Sequence, residues 1–166
     1  MRLTSCHIEN FGKLSDYSIE FDKSQNVICE DNGWGKSTLA AFIRAMFYGF
    51  EGEKKRNNVE NERKRYKPWQ GGVYGGKLSF ETNGKRYLVT RVFGDKEQND
   101  TFELRDADTN LISSDYTSDV GRELFKIDSA SFMRTAFIGQ NEVETASTDD
   151  INAKIGNLSD NANDLN

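Results

Sequence analysis

The 166-residue sequence predicts an α/β fold organised around a phosphate-binding loop, and three observations carry that reading. A short apolar run, Val27-Ile28-Cys29, leads straight into the glycine-containing turn Glu30-Asp31-Asn32-Gly33-Trp34-Gly35. From Lys36 the apolar period changes, and Leu39, Phe42, Ile43, Met46, Phe47 and Phe50 fall on one face of an amphipathic helix. Further on, Leu78-Ser79-Phe80 and Tyr87 to Phe93 flank Asn83-Gly84, the signature of a β-hairpin.

The remaining elements follow in order. Leu3 to Glu9 alternates loosely, with Leu3 and Ser5 on one face and Cys6 and Ile8 on the other, and Tyr17 to Asp22 alternates strictly, as a half-buried strand should. Gly49 suits the C-terminal cap of the helix that starts at Lys36. Residues 52–67 read as a charged loop, and the glycine pairs 71–72 and 75–76 announce the hairpin strands. Thr101 to Arg105 is expected to add a third antiparallel strand. Ser118 or Asp119 caps a short helix, Asp128-Ser129 begins another, and Ala136-Phe137-Ile138 reads as a buried strand ending at Gly139-Gln140. In residues 148–166 the apolar positions Ile151, Ile155, Leu158, Ala162 and Leu165 have heptad-like spacing, against which stand Gly156 and several asparagines. That segment reads either as the start of a coiled-coil arm or as a disordered polar tail, and residues 1–147 as one lobe.

Composition narrows the class. Hydrophobic residues make up 36% and charged residues 30%, the profile of a folded globular chain. No apolar run approaches the roughly 18 residues of a membrane span, and the N-terminus carries no apolar signal segment, so a cytoplasmic location is expected. A net charge of −5 excludes a diffuse basic field. Cys6 and Cys29 have only His7 nearby, which makes no zinc set and suggests two reduced, buried cysteines.

The turn before Lys36 has a physical purpose. A helix N-terminus presents unpaired backbone N–H groups and a partial positive charge. Glycines ahead of it let the backbone curl around phosphate oxygens without obstruction by side chains. In this arrangement Asn32, Gly33, Trp34, Gly35 and Thr38 line the anion site, Lys36 reaches the β and γ phosphates, and the Ser37 hydroxyl ligates Mg²⁺. The strict pattern has glycine six places before the lysine, where this chain has Glu30 followed by Asp31. A carboxylate within about 6 Å of a phosphate, at an effective dielectric near 20, costs on the order of 2–3 kcal/mol before screening. Weak nucleotide binding is therefore expected.

Taken together, Met1-Arg2-Leu3, Glu9-Asn10-Phe11-Gly12-Lys13, Asn32-Gly33-Trp34-Gly35-Lys36-Ser37-Thr38 and Phe137-Ile138-Gly139-Gln140 resemble the N-terminal lobe of the ATPase heads of SMC-like proteins. That group includes SbcC, RecN, RecF and the bacterial YhaN-type AAA proteins, and Arg65-Tyr66-Lys67-Pro68-Trp69 is similar to the last of these. The resemblance implies a P-loop NTPase of ABC type, with a mixed sheet and an antiparallel β subdomain. It implies that Gln140 helps hold Mg²⁺ and the attacking water, that Lys13 lies near the nucleotide, and that ATP and Mg²⁺ are the cofactors. Without the resemblance, Gln140 is only a polar residue at the end of an apolar strand. No apolar run ending in Asp-Glu is present, nor a Leu-Ser-Gly-Gly signature. In the relatives these parts follow a coiled coil, so the resemblance implies a C-terminal lobe, a second head joined through ATP, and a nuclease subunit as partners, with a sheet edge left open for the missing lobe.

Residues 52–67 hold seven basic residues (Lys54, Lys55, Arg56, Arg63, Lys64, Arg65 and Lys67) against three acidic ones. Such segregation fits contact with DNA phosphates, which would place the protein at the nucleoid, and it also fits a solvated mobile loop. The leading expectation is the ATP-binding half of an SMC-like head in DNA repair or chromosome maintenance, with Lys36 and Gln140 catalytic only once a second lobe completes the site. The alternative is a non-catalytic binding or assembly module with a degenerate loop.

Overall fold

The computed structural model describes residues 1–50 and 61–136. Met1–Ser118 forms one compact unit and the chain from Asp119 another. The first is built on five strands: β1 (Arg2–Phe11), β2 (Leu14–Glu20), β3 (Gly75–Thr82), β4 (Lys85–Val92) and β5 (Thr101–Asp106). They lie in the order β2-β1-β3-β4-β5, every pair antiparallel. The predicted hairpin is β3–β4, and Asn83 and Gly84 both take positive φ (50° and 76°), as a two-residue hairpin turn requires. Thr101–Asp106 supplies the predicted third strand.

Helix α1 (Lys36–Tyr48) packs on the sheet, beside β1, β3 and β4. Its buried face is Leu39, Phe42, Met46 and Phe47, and the sheet offers Cys6, Ile8, Leu78, Phe80, Val89 and Leu104. Each fully buried side chain of this size contributes roughly 1.5–3 kcal/mol of transfer free energy. Burial pushes the Cys6 thiol up to about 12, so it stays protonated inside the core. Two bulges against β3, one between Leu3 and Ser5 and one between Ile8 and Asn10, interrupt the register of β1. The second moves Phe11 onto the core side, although it has the opposite parity to Cys6 and Ile8. Phe11 is fully buried there, with the rings of Tyr66 at 4.9 Å, Phe42 at 5.3 Å and Tyr74 at 5.7 Å.

Three expectations are corrected. Val27-Ile28-Cys29 is not a strand: Val27 is 77% exposed and Cys29 is exposed rather than buried. A strand needs a neighbour for its ladder hydrogen bonds, and no described strand runs beside this segment. For the same reason the described sheet is wholly antiparallel rather than mixed. Residues 61–67, predicted as loop, begin with a helical turn, α2 (Glu62–Arg65), capped by the Asn61 side chain, which accepts from the Lys64 N–H at 3.1 Å. The predicted strand through Phe137 and Ile138, and the tail 148–166, lie outside the described residues.

That helical turn is held by two ion pairs. Arg44, 2% exposed on α1, donates to Glu62 at 2.5 Å. Arg63, 4% exposed, donates to both oxygens of Asp100 at 2.6 and 2.9 Å and to the Gly94 carbonyl at 2.9 Å. Such bidentate pairs fix orientation as well as charge.

The second unit carries two short helices, α3 (Val120–Phe125) and α4 (Ser129–Thr135), near the predicted starts. Lys126 ends α3 in the left-handed region, and the Asp128 carboxylate caps α4 by accepting from the Ser131 N–H at 2.7 Å. Phe125 and Phe132 meet at 4.9 Å.

Asp100→Ala leaves the Arg63 guanidinium buried without its carboxylate. Urea denaturation is expected to show a loss of about 3–5 kcal/mol, far more than removal of the exposed Asp95 partner of Lys67 causes.

Candidate phosphate-binding site

The candidate loop is built by the start of α1 and by the turn between β1 and β2. Gly35, at φ 128°, is the N-cap residue of α1; no side chain caps this end and no acidic residue lies in the first turn. The N–H groups of Lys36, Ser37 and Thr38 therefore open the helix without a protein anion against them. The turn itself is tight, with Gly33 at φ 84° and the Trp34 N–H donating to the Asp31 carbonyl at 3.1 Å. The Lys36 ammonium donates back to the carbonyls of Glu30 (2.5 Å) and Asp31 (3.1 Å). The loop thus closes around its lysine, and both Lys36 and Ser37 are exposed to an incoming ligand.

The β1–β2 turn presses on this loop. A Cβ on Gly12 (φ 57°) would stand 3.0 Å from Thr38 Cγ2 and 3.4 Å from Tyr66 Cδ1. One on Gly35 would stand 3.1 Å from Leu14 Cδ2 and 3.4 Å from Lys13 Cε. Only glycine combines positive φ with approaches this close. Lys13 is therefore brought beside Gly35. Trp34 packs edge-on against Tyr17 of β2 at 5.1 Å. Burial pushes the Tyr17 phenol above its usual range, with a further contribution from the Glu30 carboxylate.

The structure thus gathers Lys13, Asn32, Gly33, Trp34, Gly35, Lys36, Ser37 and Thr38 in one region, while Gln140 lies outside the described residues. Sequence reasoning missed Leu14, Tyr17 and Tyr66, which support the site from below. The one available signal was the Asn10-Phe11-Gly12-Lys13 turn, whose partner at Tyr66 is distant in sequence. Ser37 offers one exposed hydroxyl oxygen to a cation, and among the described residues no cluster of His, Cys, Asp and Glu offers a metal site of its own. No helix among the described residues is long and apolar enough to cross a membrane.

An open cleft of about 620 Å³ lies elsewhere, lined by Asn61, Arg63, Lys64 and residues 95–98. Acidic and basic side chains mix along it, and Arg63 is already engaged by Asp100. Its shape carries less chemical information than the phosphate loop, which offers a helix N-terminus, a lysine and a hydroxyl at a shallow surface.

A glycine turn and lysine at the head of a core helix, beside an antiparallel sheet, define the class: a P-loop ATPase of AAA type. The family model described as "AAA domain" (AAA_23) matches residues 5–166, and the chain belongs to that family. It is similar to the N-terminal region of SMC/Rad50-like ATPase heads. The DNA double-strand break repair Rad50 ATPase of Sulfolobus acidocaldarius is 27% identical over 151 residues, 90% of this chain and 16% of the relative. The Rad50 ATPase of Archaeoglobus fulgidus is 29% identical over 148 residues, 89% of this chain and 15% of the relative. The uncharacterized protein YhaN of Bacillus subtilis is 39% identical over 82 residues, 49% of this chain and 8% of that protein. The chain therefore spans less than a fifth of the length of each of these relatives.

The exposed Glu30 is screened by solvent, so its cost falls below the bare Coulomb figure. Glu30→Gly is expected to tighten Mg-ATP binding several-fold in calorimetry; unchanged affinity would show that the carboxylate is no obstacle.

Proposed function

We propose that this chain is the ATP-binding half of an SMC-like ATPase head that acts in DNA repair or chromosome maintenance. The observation that carries this reading is the loop itself, in which Lys36, Ser37, Thr38 and Lys13 converge at an uncapped helix start. In this reading the backbone N–H groups of Gly35 to Thr38 take up the phosphate charge. Lys36 turns from the Glu30 and Asp31 carbonyls to the ligand, Ser37 holds Mg²⁺, and Gln140 orients the attacking water. Bound Mg²⁺ supplies neutralisation of charge on the phosphates. Hydrolysis needs an acidic pair and a signature that this sequence lacks, so a C-terminal lobe and a second head complete the site, with a nuclease subunit as a further partner in the cytoplasm.

A second reading, a binding or assembly module without catalysis, is favoured by Glu30 at the usual glycine position. Mixing the chain with the C-terminal lobe of its parent protein separates the two. Mg-ATP-dependent dimerisation and turnover in the mixture, abolished by Lys36→Ala, is the expected result. Assembly that ignores nucleotide would favour the module.

DNA contact by the basic segment needs a revised set of residues. Arg63 is buried in its pair with Asp100, whereas Lys64 and Arg65 are exposed, as is Lys67, which donates to Asp95 at 2.6 Å. Replacing Lys64 and Arg65 together with alanine is expected to weaken DNA binding across all sequences. The slope of log affinity against log salt should shrink by about 2, near one unit for each phosphate that is no longer neutralised. An unchanged slope would remove these two residues from the interface.

A further inference from the structure

Trp69 is 89% exposed, in a structure whose other Trp packs against Tyr17. A bare indole on a loop of fixed shape signals a surface made to be covered. The loop is fixed on both sides. Before Trp69, the Tyr66 carbonyl accepts from the Gly12 N–H at 2.6 Å, the Tyr66 ring stacks on Phe11 at 4.9 Å, and Pro68 is buried. After it, the Val73 carbonyl accepts from Asn10 Nδ2 at 3.0 Å. Both anchors lie at the end of β1 and the start of the turn after it, the turn that presses on Thr38 and Gly35 of the phosphate loop. Tyr66 and Thr38 approach one point at Gly12, and three residues beyond Tyr66 reach at most about 11 Å. The span from the terminal phosphate of a nucleoside triphosphate to its base is of the same order.

We propose that Trp69 is the platform on which the base of the bound nucleotide stacks, a subsite that rests on the nucleotide-binding reading of the phosphate loop. The tie to the phosphate loop through Gly12 favours the base of a nucleotide held there over a nucleic-acid strand. Stacking alone reads the size of the π face and not its edge, so this subsite prefers purines over pyrimidines without choosing between adenine and guanine.

Calorimetric titration of the 166-residue chain with Mg-ATP and with Mg-tripolyphosphate, which has phosphates and no base, tests this. Trp69→Ala is expected to weaken Mg-ATP roughly tenfold, the loss typical of one stacked base. Tripolyphosphate affinity should stay within about twofold, and Trp69→Phe should recover most of the ATP affinity. Equal losses for both ligands, or no loss for ATP, would overturn the proposal. So would a loss confined to a single-stranded oligonucleotide added as a third ligand, since the indole would then serve a strand. Lys36→Ala separates the two levels of the argument. If it weakens both phosphate ligands while Trp69→Ala weakens neither, only the base platform fails. If the chain binds neither ligand, or Lys36→Ala changes neither, the phosphate-loop reading fails and the platform with it.

Discussion

The close approach at Gly12 is the constraint from which the site is built. Thr38 at the head of α1, Tyr66 after α2 and the β1–β2 turn meet there so closely that a methyl group would force its neighbours to give way. The approach is possible because Phe11, one residue earlier, is drawn fully into an aromatic cluster with Phe42, Tyr66 and Tyr74. Burial of that ring sets the depth of the turn. The depth of the turn places Lys13 and Leu14 against Gly35, and so shapes the start of the helix that heads the candidate phosphate loop.

Charge is used in two different ways in this small unit. Exposed pairs such as Lys67–Asp95 sit in solvent and contribute little. The Arg44–Glu62 and Arg63–Asp100 pairs are buried on their arginine side and act as positional ties. One joins α1 to α2, and the other joins α2 to the connection between β4 and β5. Breaking either leaves a guanidinium in a poorly solvated place, so the geometry of residues 61–66 is strongly specified. Those residues in turn deliver Tyr66 to Gly12. The described part of the basic segment, residues 61–67, therefore combines structural framework with exposed charge.

The phosphate loop was legible from local signals, because glycines, lysine and helical period sit within about a dozen consecutive residues. The hairpin was legible for the same reason, with Asn83-Gly84 flanked by alternating residues. Arg63 was not. Its burial depends on Asp100, 37 positions away, and nothing in a run of Arg-Lys-Arg says which side chain turns inward. Phe11 was not legible as a core residue by parity either, since a bulge of one residue in β1 reverses the face of everything after it.

By itself the sequence determined the β3–β4 hairpin, the α1 face, the turn chemistry and the candidate residues of the phosphate loop. These depend on periodicity and on backbone conformations that are properties of neighbouring residues. Only the tertiary structure decided that Val27 to Cys29 has no ladder neighbour among the described residues, that Arg63 is an internal tie, and that Lys13, Tyr66 and the Trp69 loop converge on one turn. Each of those depends on a partner distant in the chain, whether a ladder neighbour, a counter-charge or a packed ring. Such partners are fixed by the way the chain closes on itself, and local sequence carries no record of them.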